Sequence, residues 1–231
     1  MIYKNERLSE PIQIRQGILT FRLEENPQLT GQRFRAAITR LCPEYPQLSQ
    51  RTPSGKLIYR HPHVQYKVMD EKEIITALGD ESELLIEVFA TLTDIILGGR
   101  RFKILEKNID IQEVWFGPVN KELSYVFVSP WLALNQNNEK IYRDADNGGK
   151  REILNSVLTG NILSMAKGLG FFIVPNVVAI LGNRWSETPS YFKGIQMQGI
   201  RSRFKTTFQI PHLWGIGKSS SSGWGTTVPI M

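Results

Sequence analysis

Histidine is the side chain best suited to moving a proton near neutral pH, and two of the three in this chain, His61 and His63, lie within YRHPHVQYKVM. A strand through 58–68 would alternate its side chains between two faces. One face carries Ile58, Pro62, Val64, Tyr66 and Val68 with Arg60. The other gathers Tyr59, His61, His63, Gln65 and Lys67, that is, a phenol, two imidazoles, an amide and an ammonium. Such a set suits acid–base transfer together with stabilisation of a phosphate. The same alternation describes a polar sheet face turned to solvent, and the residues leave both readings open. His212 is the third candidate, and a loop histidine that caps backbone groups is its other reading. No His, Cys and carboxylate set has metal-ligand spacing, so neither metal nor cofactor is expected.

A second constellation is GIGKSSSSGWG, residues 215–225, where Gly215, Gly217, Gly223 and Gly225 enclose Lys218 and four serines. A phosphate-binding P-loop needs a glycine at 212, where His212 stands, and a helix afterwards. Only six residues follow Gly225, so that reading fails. A loose tail fits the serines but not Ile216, Trp224 or the apolar ending VPIM. The remaining reading is a folded glycine-rich loop that lets backbone approach an extended polyanion, with Lys218 and the Ser219 hydroxyl on phosphate oxygens.

Charge distribution points the same way. The net charge is +6, yet residues 1–118 hold sixteen basic and sixteen acidic side chains, so the whole excess lies beyond them. After Glu187 there is no carboxylate side chain, while Lys193, Arg201, Arg203, Lys205 and Lys218 follow. Arg201, Arg203 and Lys205 alternate along one strand face, which suits either a phosphate track or a solvated edge. Lys167 closes a helix, where a cation also complements the C-terminal dipole. Trp131 and Trp224 suit base stacking or core packing. With one cysteine, Cys42, no intramolecular disulfide is available. No apolar run reaches about 18 residues and no secretory leader is evident, so a cytoplasmic protein is expected.

These residues need elements to position them. IQIRQGILTFRL (12–23) alternates as a half-buried strand. Thr30-Gly31 opens a helix with Phe34, Ala37, Ile38 and Leu41 on one face, ended by Pro43. Strands are expected near 57–69 and 73–78, a helix over 80–97 and a strand over 101–116. That order, strand–helix–strand–strand–helix–strand, is the ferredoxin-like one. The second half repeats it less completely: a strand in ELSYVFVSPWLAL, a helix near 149–167, strands in FFIVPNVVAILGN and 191–210, then a short strand over 226–230. The expectation is an α+β chain of two tandem ferredoxin-like (RRM-like) domains, 1–118 and 119–231, joined near Gly117–Lys121, the second bearing the Gly-rich loop and the anion-binding surface.

The paired Gly-apolar-Gly motifs resemble the signature of the CRISPR-associated endoribonucleases of the sixth Cas family. YRHPHVQYKVM (59–69), PWLALNQNN (130–138), NILSMAKGLG (161–170) and QIPHLWGIGKSSSSGWG (209–225) resemble stretches of one subgroup, in the family's order. The resemblance implies two ferredoxin-like domains and metal-independent cleavage of precursor CRISPR RNA within its repeats. In that reaction the ribose 2′-OH attacks the adjacent phosphate, leaving a 2′,3′-cyclic phosphate and a 5′-OH. Implied partners are repeat RNA and a CRISPR effector complex; the sequence leaves the oligomeric state open, a homodimer being one alternative. Two departures stand out. Relatives carry a catalytic histidine after the first helix, where Gln47–Lys56 has none, and a loop arginine where this chain has Ser222. The expected catalytic set is therefore His61, His63, Tyr59 and Lys67, with Lys56 and Tyr45 flanking the loop where relatives carry catalytic groups. The expected RNA-binding set is Gly215, Gly217, Lys218, Ser219, Gly223, Gly225, Arg201, Arg203, Lys205 and Lys167. The alternative is a repeat-RNA-binding subunit with weak or no catalysis; an enzyme holding a phosphate ligand at Gly217–Ser219 is a third.

Overall fold

The structure, a computed structural model, describes residues 6–52, 54–192 and 194–230; Lys193 and Met231 lie outside them. In chain order the first elements are β1 (Glu6–Leu8), β2 (Ile12–Leu23), α1 (Gly31–Leu41), β3 (Val64–Met69), β4 (Lys72–Leu78), α2 (Glu81–Thr91) and β5 (Asp94–Leu97). Then follow β6 (Arg100–Phe127), α3 (Gln136–Asp144), α4 (Asn147–Gly168), β7 (Phe171–Ile173), β8 (Ala179–Phe192), β9 (Ile195–Gln209), β10 (Trp214–Gly215) and β11 (Thr226–Pro229). No described helix is long and apolar enough to cross a membrane. The chain forms two compact units. One comprises residues 13–114 with 221–223, and the other contains 6–12, 115–220 and 224–230.

In the first unit, apart from the short β5 that pairs with the start of β6, the strands lie in the order β6-β2-β4-β3, which is fourth, first, third, second along the chain. Helix α1 begins at Thr30, whose hydroxyl accepts from the Arg33 amide at 3.3 Å. It buries Phe34, Ala37 and Ile38, three and one residues apart, against the sheet. There Phe34 meets Phe21 and Tyr66 edge-on at 6.1 and 5.7 Å, and each such buried ring is worth about 2–3 kcal/mol. Asp70 and Glu71 both take positive φ between Met69 and Lys72, the backbone of a two-residue hairpin turn.

Two expectations for this unit are corrected. The strand expected over 57–69 begins only at Val64. Pro62 cannot donate to a ladder, and the residues before it fold back, with Leu57 bridging Arg51 and the Ile58 amide donating to Gln50. The helix expected over 80–97 stops at Thr91. Ile95 and Ile96 instead belong to β5, which pairs with β6 across Gly98-Gly99. Helical spacing misleads here because a glycine pair with positive φ at both positions favours a tight hairpin over helix.

In the second unit, with the short β7 and β10 set aside, the order β11-β6-β9-β8 again runs fourth, first, third, second, with antiparallel pairing throughout. β1 and β7 form a separate parallel pair. Helix α4 buries Leu154, Leu158, Ile162 and Met165 along one stripe. Between β9 and β11, where the first unit has α2 between its last strands, the chain makes the glycine-rich segment instead. The strands expected on either side of Gly117–Lys121 are one element, β6, whose register against β9 shifts between Pro118 and Leu123. β6 ends at Phe127, so the strand expected through Leu134 is shorter. Helix α3 has no counterpart among the expectations. Its only buried residue is Tyr142, which leaves no apolar period to detect, and Asn135 caps it through Oδ1.

Candidate functional site

Gln65 and Lys67 point to the same side of β3, and both are buried, at 0% and 1% exposure. Lys67 Nζ donates to Gln65 Oε1 at 3.0 Å and to Thr76 Oγ1 at 2.9 Å. With Oε1 so engaged, Gln65 Nε2 is the donor toward His61 Nε2, 3.2 Å away. A neutral His61 therefore accepts on Nε2 and carries its proton on Nδ1. Burial holds the Lys67 pKa well below its usual value, because desolvation disfavours the charged amine. The solvent-facing polar sheet face is thus corrected: the row His61–Gln65–Lys67–Thr76 is a packed network.

His63 takes another partner. Its Nδ1 lies 2.9 Å from Glu81 Oε2 at the start of α2. Burial acts to raise the Glu81 carboxyl, but the hydrogen bond and charge of His63, with a backbone amide and Arg60, outweigh it and leave the pKa lowered. A carboxylate in this position orients the imidazole. Tyr59 stands apart, 91% exposed, and so does the exposed Lys56. The five-residue face is therefore divided: His61, Gln65 and Lys67 are joined, His63 turns to Glu81, and Tyr59 belongs to neither group.

The glycine-rich segment is folded. Gly215 pairs with Thr226, and Ile216 N donates to Gly225 O at 3.0 Å while Gly225 N donates to Pro130 O at 2.9 Å. Gly217 and Gly225 take positive φ. A Cβ on Gly217 would strike Asn161 Oδ1 and come within 2.6 Å of Trp131 Nε1, and one on Gly225 would strike Ile216 O. No other residue fits either place. Ser220 is buried, whereas Lys218 is exposed and Ser219 half-buried.

Residues 221–223 belong with the first unit. There the half-buried Arg35 donates Nη1 to Ser221 Oγ and Nη2 to Ser49 O, both at 2.9 Å. The Ser222 carbonyl occupies the space a side chain on Gly31 would need, and Gly223 packs on the Tyr66 carbonyl. The reading of a loose tail is overturned by these contacts.

Of the basic residues, Arg201, Arg203 and Lys205 are all exposed along β9. Arg201 donates to Val128 O at 3.0 Å. Lys205 is 3.0 Å from Glu122 Oε2, so a stretch without acids in sequence is not without them in space. Lys167 is exposed at the end of α4, 6.0 Å from the Phe172 ring centre. Trp131 is wholly buried, stacked on Phe127 at 5.2 Å, and is a core residue. His212 lies in a turn, and partial desolvation lowers its pKa. Among the described residues no three His, Cys, Asp or Glu side chains gather as a metal site.

Residues 12–114 match the model of the Cas6b N-terminal domain and residues 117–230 that of the Cas6b C-terminal domain. The chain belongs to the Cas6b family. It is 31% identical over 144 residues to the uncharacterised protein MJ0978 of Methanocaldococcus jannaschii, covering 62% of this chain and 97% of that one. It is similar to a crystal structure of Cas6b at 28% identity and TM-score 0.84, covering 95% of this chain and all of the other. A second, described as CRISPR RNA processing endoribonuclease Cas6b, matches at 27% identity and TM-score 0.72 with the same coverage. A type IV Cas6 crRNA endonuclease, at 14% identity and TM-score 0.53, shares the fold.

For a Cas6b-family chain, the residues hardest to find from sequence are the supporting ones. Arg35 and Ser221 are 186 positions apart, and no local pattern links them. Thr76 is visible only once β3 and β4 are paired, since Gln65 then faces it directly. Glu81 carried a partial signal, as the acid opening a helix expected there.

Proposed function

We propose that this Cas6b-family protein binds precursor CRISPR RNA and cleaves it within the repeats, without metal or cofactor, by attack of a 2′-OH on the adjacent phosphate. In this reading bound RNA displaces the Gln65 amide from His61 Nε2, and that nitrogen then takes the 2′-OH proton as the 2′-oxygen bonds to phosphorus. The bond from phosphorus to the 5′-oxygen breaks, and His63, oriented by Glu81, gives that oxygen a proton. The products are a 2′,3′-cyclic phosphate and a 5′-OH. Gln65 and Lys67 act through His61 by fixing its tautomer, and Tyr59 and Lys56 are solvent-side candidates for RNA contact. Lys218, Ser219 and the backbone around Gly215, Gly217, Gly223 and Gly225 hold phosphates, with Arg201, Arg203, Lys205 and Lys167 as further cations. The strand order in each unit supports two ferredoxin-like domains, the second with its last helix replaced by the glycine-rich loop.

The observation that carries the proposal is a rigid, glycine-dependent loop in a chain matched along most of its length by the Cas6b domains. Its test is incubation with the cognate repeat RNA in EDTA. Cleavage to a cyclic-phosphate end is expected, slowed at least a hundredfold by His61→Ala or His63→Ala in single-turnover assays, in line with about 10²–10⁴ for acid–base catalysis. Undiminished rates in both variants remove these assignments.

The burial of Lys67 favours the second reading, an RNA-holding subunit of an effector complex that cuts slowly or not at all. Lys67 is too buried to meet a phosphate, and the segment after α1 supplies no histidine. Tight binding without a cut is its signature.

A further inference from the structure

The second unit has an open cleft of about 610 Å³ that the reaction above does not use, lined by Lys150, Arg151, Asn183, Arg184, Trp185 and Glu187. It lies beside the first turn of α4, whose N-terminal residue Asn147 also faces it. Three cations meet one carboxylate there. Glu187 is already engaged, since Oε1 accepts the Tyr142 hydroxyl at 2.6 Å and Oε2 accepts Gln198 at 2.9 Å. Among the described residues, Lys150, Arg151 and Arg184 form no ion pair. Their charge is therefore available to an incoming anion, and the helix N-terminus adds to it.

The cleft is also ordered in advance. Arg151 donates to Asn183 Oδ1 at 3.2 Å and lies 5.9 Å from the centre of the Trp185 ring. The Trp185 Nε1 donates to the Tyr142 hydroxyl at 3.1 Å, and Lys150 sits 5.3 Å above the Tyr142 ring. An indole, a phenol and two cations thus brace one another, which reduces the ordering cost of binding. Alternating cations and half-exposed ring surface, in an open trough, match a strand with phosphates on one side and unpaired bases on the other. A duplex, with its bases stacked inside, would leave the Trp185–Arg151 stack unused.

We infer that this cleft is a further RNA-contact surface, where Lys150 and Arg184 meet phosphates of an unpaired stretch and a base lies on the Trp185–Arg151 stack. The inference rests on the RNA-binding reading above. Its test compares the full repeat RNA with versions shortened stepwise from either end, in filter binding across a range of salt. The double variant Lys150→Ala/Arg184→Ala is expected to bind full-length RNA about tenfold more weakly, with a shallower salt slope. Once the stretch that reaches the cleft is trimmed away, its affinity should equal that of the unmodified protein. In parallel, the full RNA should quench an indole signal that Trp185→Phe lacks. Equal affinity for every RNA, or equal weakening for all of them, overturns the cleft assignment while leaving repeat binding intact. If the unmodified protein binds no repeat RNA, the underlying RNA reading falls instead.

Discussion

Glu73 lies near the start of β4, 3% exposed, and its Oε2 has no hydrogen-bond partner. Burial pushes its carboxyl up to about 7 from an ordinary 4.5. A carboxyl raised on folding binds more protons in the folded state between those two values. Its stabilising contribution is thus complete below about pH 4.5 and declines as pH rises through 7. Glu73→Gln keeps the shape and removes the titration, so the variant should be more stable than the parent by about 3 kcal/mol at pH 8 and by little at pH 4. Urea unfolding at the two pH values measures the difference. Lys67 acts with the opposite sign, its depressed pKa costing stability as pH falls, but it is common to both proteins and cancels in the comparison. A second residue-scale prediction concerns the clasp of the loop tip. Arg35→Ala and Ser221→Ala should be non-additive by about 1.5 kcal/mol or more in a double-mutant cycle, the usual size for a hydrogen bond to a charged group. Additivity would mean that the guanidinium contributes through Ser49 alone.

Among the elements, those with a cap, a period and a stop were legible in advance. β2 ends where the alternation ends, and α1 runs from Thr30 to Cys42 because a hydroxyl cap and Pro43 bound it. Elements whose identity depends on a distant partner were not. β5 is a strand because β6 pairs with it, and its Ile95-Ile96 pair has helical spacing after Val88 and Leu92. α3 lacked an apolar stripe, and residues 57–63 lost strand structure to a fold-back set by Pro62. For the candidate site, alternation placed His61, Gln65 and Lys67 on one side, but it had no means of showing that this side is packed or that His63 finds Glu81. The β5–β6 turn gives a direct check. Gly98 and Gly99 both have positive φ and open space beyond their Cβ positions, so conformation alone restricts them. Asn-Gly in their place should leave the melting temperature unchanged or higher. Ala-Ala should lower stability by about 2 kcal/mol, since each left-handed residue costs about 1–2 kcal/mol. Equal stability of the two variants would mean that the turn is not held in this form.

For the molecule as a whole, the charge balance sets an expectation about RNA that no single contact does. The +6 excess lies entirely beyond residue 118, whereas in the first unit basic and acidic side chains are equal in number and Arg22, Arg100 and Arg101 stand beside Glu106, Glu25 and Asp94. A charge-balanced surface gathers few phosphates and releases few counterions, whereas a cation on the basic unit releases about 0.7 per phosphate met on a single strand. The salt dependence of repeat-RNA affinity should therefore arise mainly in the second unit. Arg203→Glu, at an exposed position on β9, should flatten the slope of log affinity against log salt by about 0.7 or more. Lys103→Glu, equally exposed on β6 in the first unit, should leave that slope nearly unchanged. Both substitutions alter net charge by the same amount, so a long-range effect of total charge predicts equal losses. Unequal slopes require phosphates to lie against β9. Equal slopes would instead attribute RNA attraction to the net charge and remove the basic strand from the binding surface.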